Sequence, residues 1–173
     1  MISNGGGTAP AVVTVRRMTS GEFDRWRRNS IKSYAQDLAD ALGLPFEDAL
    51  TRARQQFADL LPAGLDTAST WLMMVVDESA ADVGTLWVGP HPERRGVAYL
   101  YDIEIYEAER GRGLGRAALL AAERLVRGAG ITEVGLSVFG FNEPARRLYD
   151  SLGYRVVATQ LRKTLTSEGD PST

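Results

Sequence analysis

The sequence contains no cysteine, which excludes disulfides, thiolate metal sites and a thiol nucleophile at once. It has one histidine, His91, in the loop Gly89-Pro90-His91-Pro92-Glu93, so no imidazole cluster can hold a metal, and the residue reads as an exposed loop side chain rather than a base. Long apolar runs are missing too: no stretch approaches the roughly 20 residues that a membrane span requires. A formal net charge of −2 gives no general attraction to nucleic acid or to anionic membranes, so any anion site has to be local. Internal repeats are absent, and low complexity is confined to the ends, where residues 1–10 and 166–173 read as flexible tails with no signal peptide. What remains is a chain of 173 residues that reads as one cytoplasmic domain, without a metal, with an α/β core burying about two thirds of its surface.

Apolar periodicity lays out the elements. Residues 11–17 form a first strand, and Thr19 with Glu22 is a capping box opening a helix that carries Phe23, Trp26, Ser30, Tyr34, Leu38 and Leu42 before Gly43 and Pro45 end it. A second helix runs from Phe46 to Leu61, closed by Pro62. Residues 71–77 and 84–89 are strands joined by a polar turn. In the strand over 97–106, Val97, Tyr99, Tyr101, Ile103 and Ile105 share one parity while Asp102 and Glu104 take the other, which predicts one core face and one wet face. Further on, residues 131–138 read as a strand, and residues 155–159 and 160–165 as a final pair.

The most informative segment lies between the strand over 97–106 and an amphipathic helix with Leu114, Ala117, Ala118, Ala121, Ala122 and Leu125 on one face. It reads Glu109-Arg110-Gly111-Arg112-Gly113-Leu114-Gly115-Arg116, a strand-to-helix turn with little side-chain bulk, framed by guanidinium groups. The first N–H groups of a helix lack intrahelical acceptors and carry partial positive charge, so a phosphate able to come close is bound by main chain, and glycine permits that approach. Gly113-Leu114-Gly115-Arg116-Ala117-Ala118 also fits a dinucleotide fingerprint, but that reading wants an acid closing the next strand, and Glu133 opens it instead. A nucleoside-triphosphate loop would need Gly-Lys-Ser or Gly-Lys-Thr, and neither occurs.

Downstream, Asn142-Glu143-Pro144-Ala145-Arg146-Arg147-Leu148-Tyr149-Asp150-Ser151-Leu152-Gly153-Tyr154 reads as a short helix. Asn142 is its N-cap, Pro144 lies in the first turn, Ala145, Leu148, Tyr149 and Leu152 form the apolar stripe, and Gly153 is the stop. Arg110-x-x-Gly113-x-Gly115 followed by Asn142-x-x-Ala145-x-x-Leu148-Tyr149-x-x-x-Gly153-Tyr154 resembles the GNAT family of acetyl-coenzyme A-dependent N-acetyltransferases, over roughly residues 70–165.

The resemblance implies a mixed α/β fold: a twisted, mostly antiparallel sheet of six or seven strands, helices on both faces, and a splay between the fourth and fifth strands. It implies that acetyl-coenzyme A is the acetyl donor, with its pantetheine arm in the splay, using unpaired main-chain groups near Ile105 and Tyr106 as another strand would. The diphosphate would then lie on the turn of Arg110, Gly111, Arg112, Gly113, Leu114, Gly115 and Arg116, with Asn142 touching pantetheine or substrate. Tyr149 matches the family tyrosine that protonates the departing thiolate. For the base the carboxylates of Glu104 and Asp102 are available if a β-bulge turns them inward, Glu104 slightly ahead. The family often places an acid in the later strand, where this chain has Leu136-Ser137-Val138-Phe139. The acceptor would be a small-molecule or peptide amine, for which Trp26, Tyr34, Tyr99 and Tyr101 with Asp37 and Asp102 could form a pocket. A homodimer is compatible with the resemblance. The competing class is an acyl-coenzyme A sensor that binds without turnover, for which the missing acid near Ser137 is the best argument.

Overall fold

In the computed structural model residues 10–163 are described, so the expected tails lie outside the described residues apart from Pro10. The chain groups into two compact units, Met1–Phe141 and Asn142–Thr173, taken in turn below.

The first unit is built on a sheet of five strands in the order β1-β2-β3-β4-β5: β1 (Val13–Arg17), β2 (Trp71–Asp77), β3 (Asp82–Pro90), β4 (Ala98–Ile105) and β5 (Val134–Leu136). The first four pair antiparallel, and β5 pairs with β4 in parallel, as a crossover through a helix requires. Between β1 and β2 run α1 (Ser20–Leu42) and α2 (Phe46–Leu60). The capping box predicted for α1 is formed, with Thr19 and Glu22 bonding each other's backbone, and Gly43 ends the helix in the left-handed conformation that other residues resist. Between β4 and β5 runs α3 (Leu114–Gly128), whose buried Ala117, Ala118, Ala121 and Ala122 let the helix lie close to the sheet.

Trp26 and Phe23 of α1, Phe57 of α2, Leu72 and Met74 of β2 and Trp87 of β3 form one buried cluster. Alternation along the strands sends Val75, Leu86 and Val88 to the opposite face, where α3 contacts β1, β3 and β4. Helices therefore cover both faces, as expected.

A bulge in β4 decides where its acids point. Trp87 pairs with Asp102 but the next β3 residue, Val88, pairs with Leu100, so Tyr101 is the extra residue. Strand parity is inverted across it: Leu100, Ile103 and Ile105 share one face, whereas Asp102 and Glu104, opposite Trp87 and Thr85, share the face covered by α1 and α2. The simple alternation read from sequence, with both acids on a wet face, is corrected accordingly. At the far end of the pairing Gly84 has to be glycine, because an added Cβ would lie 2.1 Å from the Glu104 carbonyl oxygen.

The second unit contains α4 (Glu143–Ser151). Asn142 Oδ1 accepts from the Ala145 N–H at 3.2 Å, Pro144 occupies the first turn, and beyond Ser151 the Tyr154 N–H reaches the Tyr149 carbonyl across a left-handed Gly153. Ala145, Leu148, Tyr149 and Leu152 are its half-buried stripe. The strand pair expected over 155–159 and 160–165 is not there: residues 155–163 form no strand, and 164–165 lie outside the described residues. Val156, Val157 and Leu161 are 72%, 97% and 88% exposed, so these segments bury no face, and a two-stranded hairpin without one has little to hold it. The sheet therefore has five strands among the described residues instead of six or seven, and β5 is three residues long instead of eight.

Candidate active site

The pairing of β4 with β5 covers only Ala98 with Val134, Tyr99 with Gly135 and Leu100 with Leu136. Beyond Leu100, β4 runs on to Ile105 while β5 has ended, so the two diverge where a splay was expected. The last tie is the Tyr99 hydroxyl donating to Ser137 Oγ at 2.6 Å.

On the α1 side of the diverging stretch lies Asp102. Trp26 Nε1 donates to its Oδ2 at 3.0 Å and Ser30 Oγ at 3.4 Å, so two consecutive turns of α1 hold one carboxylate. Burial raises the Asp102 pKa above the ordinary carboxylate range and the Glu104 charge adds to this, while the Trp26 and Ser30 donors oppose it by stabilising the anion. Glu104, two residues on, is exposed. Of the two candidate bases, only Asp102 is half-buried and held by neighbours. Tyr34 continues the same face of α1: its hydroxyl donates to Gln56 Oε1 at 3.0 Å and its ring lies 6.3 Å from Phe139. Tyr101 stacks on Trp87 at 4.5 Å and lies 4.8 Å from Tyr99. The aromatic and acidic residues suspected of forming an acceptor pocket are thus brought together between α1 and β4.

The partners of Asp102 lie 76 and 72 residues away in sequence, and no local pattern signals that pairing. His91 also differs from the exposed loop residue expected. Its Nδ1 accepts from the Glu93 and Arg94 N–H groups at 3.1 and 3.2 Å, and its half-buried ring meets Tyr99 edge-on at 5.1 Å, so it organises the loop beside β4.

At the other end of β4 the chain makes one 3₁₀ turn, Glu107–Glu109, and reaches Gly113, the N-cap of α3, at φ 76° and ψ 3° with no side-chain cap. A left-handed residue followed by helical ones gathers successive N–H groups into one concavity. Gly111 is also left-handed, at φ 78°, and an added Cβ there would meet nothing within 4 Å. Open space lies over the turn, and the left-handed backbone is what selects glycine. Leu114 is buried and anchors the helix, Gly115 is half-buried, and Arg116 is exposed.

The guanidinium groups frame the turn in unequal ways. Arg110 Nε donates to the Ile105 carbonyl at 3.0 Å, and the Tyr106 N–H donates to the Val83 carbonyl, so these groups at the end of β4 and just beyond it, expected to be unpaired, have partners within the protein. Arg112 pairs with Glu109 and, at 3.3 Å, with Asp77, whose pKa lies below the ordinary range because of Ser79, two backbone N–H groups and Arg112. Asn142 and Tyr149 belong to α4 in the second unit, where Asn142 caps the helix and the Tyr149 ring lies 5.6 Å from Tyr154. A cavity of about 600 Å³ between β1 and α3 offers only Arg124 as a titratable side chain, so it holds no proton acceptor for neutral pH.

Comparison with known proteins gives the family and the fold. The acetyltransferase (GNAT) family matches residues 31–154. The protein named "Uncharacterized N-acetyltransferase YycN" of Bacillus subtilis is 34% identical over 86% of this chain and 96% of its own length. The crystal structure of YycN superposes with a TM-score of 0.84 at 32% identity, covering 90% of this chain and all of the other. The PaiA N-acetyltransferase of Thermoplasma acidophilum, solved in complex with coenzyme A, shares the fold at a TM-score of 0.62 and 15% identity, covering 86% of this chain and 92% of the other. The chain belongs to the acetyltransferase (GNAT) family and is an acyltransferase with the mixed α/β fold of that family.

Proposed function

We propose that this protein transfers the acetyl group of acetyl-coenzyme A to an amine by direct attack in a ternary complex, as one functional domain working in the cytoplasm. The observation that carries the reading is the order of features along one strand. β4 parts from β5 after Leu100, presents Asp102 two residues later, and delivers the chain through Ile105 into the glycine turn at the start of α3. Thioester and diphosphate can then be held by neighbouring parts of one element. Family membership supports coenzyme A as carrier, and the same fold in PaiA holds it.

In this reading the pantetheine arm lies along the stretch of β4 that β5 leaves, near Ile105 and Tyr106, and the diphosphate meets the N–H groups of residues 111–116. Each helix-terminus contact contributes about 0.3–1 kcal/mol where exposed, so binding needs several acting together. Arg110 and Arg116 flank the diphosphate, while Arg112, tied to Glu109 and Asp77, serves chiefly to hold the turn. Asn142 contacts pantetheine or acceptor in addition to capping α4.

The base is Asp102 rather than Glu104. A proton acceptor has to be fixed in place and ionised, and the bonds from Trp26 and Ser30 serve both needs. Asp102 takes the ammonium proton, directly or through water. The neutral amine attacks the thioester carbonyl, a C–N bond forms, and the C–S bond breaks as the tetrahedral intermediate collapses. Tyr149, at the motif position of the family's tyrosine, gives its proton to the leaving thiolate, and the proton that the new amide nitrogen sheds restores the Tyr149 phenol through solvent. An acid in β5 is not needed when β4 supplies one.

Thiol release from acetyl-coenzyme A, followed across a panel of amines, tests the reading. Amine-dependent coenzyme A production is expected; binding of acetyl-coenzyme A with no amine-dependent thiol would make the protein a sensor instead.

A further inference from the structure

We infer that the groove between α1 and β4 selects an amine carrying a second positive charge, and that Asp37 is the residue recognising it. The inference rests on the acetyl-transfer reading, since it concerns which amine that site accepts.

Trp26, Ser30, Tyr34 and Asp37 are spaced by four, four and three residues, so they fall on one face of α1. Trp26 and Ser30 fix that face against β4 through Asp102. Ser30 and Asp37 are seven positions apart, which is roughly 10 Å of helix rise. The groove therefore has an acid at each end: Asp102 where the reacting nitrogen must lose its proton, and Asp37 about two turns away. Between them stand the rings of Tyr34 and Phe139, with Tyr99 on the β4 side, a surface suited to the methylene chain and flanking charge of a cation.

Asp37 is half-buried, and among the described residues it has neither a hydrogen-bond donor nor a basic partner. Burial raises its pKa, and the charges that add to this are those of two other acids, Asp40 and Asp102. A carboxylate in this position is relieved by a cation that the protein does not supply. The acids do not converge as metal ligands would, for no group of three potential ligands able to hold a metal ion occurs among the described residues. The charge they suit is a distributed organic one.

A separate observation points to polar occupancy at the Asp102 end. Trp87 Nε1 and Thr85 Oγ1 are buried without a hydrogen-bond partner, and they lie on the β3 rungs opposite Asp102 and Glu104, on the face that α1 covers. Trp87 is 2% exposed and Thr85 3%. Unsatisfied polar atoms at such depth ordinarily meet a water or a ligand group.

The test uses the protein with acetyl-coenzyme A and unbranched diamines of about four to eight carbons, chosen to bracket the roughly 10 Å of helix rise from Ser30 to Asp37, each beside the monoamine of equal length. The expected kcat/KM for the best diamine exceeds that of its monoamine by at least about tenfold, the size of effect one well-placed charge contact gives. Asp37→Asn should collapse this preference mainly through KM, and Asp37→Glu, which keeps the charge, should restore it. Added salt should weaken the preference in the native protein. A coenzyme A titration of each variant verifies that it is folded. Equal turnover of diamines and monoamines by the native protein, or a preference that survives Asp37→Asn, overturns the inference while leaving acetyl transfer standing. If coenzyme A binds and no amine of either series releases thiol, acetyl transfer and this inference fall together.

Discussion

The two ends of β4 solve different problems with different material. At the glycine turn the groups proposed to bind are main-chain N–H dipoles, and the contribution of the side chains is to be absent or to hold the loop. In the groove between α1 and β4 the chemistry lies in side chains, and the backbone only presents them, through a bulge that turns Asp102 toward α1. A main-chain site suits a cofactor whose diphosphate never changes. A side-chain site can be retuned one residue at a time, which suits the choice of an acceptor. Substitutions at the two ends should therefore fail differently, the turn in donor affinity and the groove in proton transfer and acceptor choice.

The largest effects should come from removing the groups proposed to move protons. Asp102→Asn and Tyr149→Phe are each expected to cut turnover by on the order of 10² or more while leaving coenzyme A affinity nearly intact, measured by steady-state kinetics beside calorimetric titration. An Asp102→Asn variant that loses donor affinity instead would dissolve the distinction between the two ends. Unchanged turnover in Tyr149→Phe would assign that ring to packing alone.

A smaller, sharper effect concerns pH. Burial holds the Asp102 pKa high and the Trp26 N–H pulls it down, so the ionised, base-competent form weakens when that donor is lost. Trp26→Phe keeps a ring in the cluster with Phe23, Phe57 and Trp87 but removes the N–H. The acid limb of kcat/KM should move to higher pH in this variant, and an unmoved limb would mean that Asp102 is not the titrating base. The same raised pKa has a consequence for stability. The folded state holds the proton more tightly than the unfolded chain, so between the ordinary carboxylate pKa and the raised one, stability falls as pH rises. Asp102→Asn should flatten that part of the profile.

What was legible in the sequence follows the same division. The turn announced itself because glycine at left-handed positions and a helix start are local, and the capping box, the Gly43 stop and the Asn142 cap were legible for the same reason. The groove was legible only as a set of suspects. Trp26, Ser30 and Tyr34 share one helical stripe, but the meeting of Trp26 and Ser30 with Asp102 depends on packing across 76 and 72 residues of chain. The bulge at Tyr101 is set by pairing with β3, and nothing in the run from Val97 to Tyr106 marks which residue is extra. The final strand pair failed for the converse reason. Residues 155–163 alternate well enough to read as strands but bury nothing, and alternation predicts a strand only when a face is there to receive it.

The central claim is that the backbone at the start of α3 binds the diphosphate of coenzyme A. Calorimetric titration of coenzyme A and of pantetheine, which lacks the diphosphate, into the native protein and Gly113→Val addresses it most directly. The account predicts that coenzyme A binds the native protein on the order of 100-fold more tightly than pantetheine, several helix-terminus contacts acting together, and that Gly113→Val removes most of that difference by displacing the left-handed turn. Equal affinity for the two ligands, or a preference untouched by the valine, would contradict it.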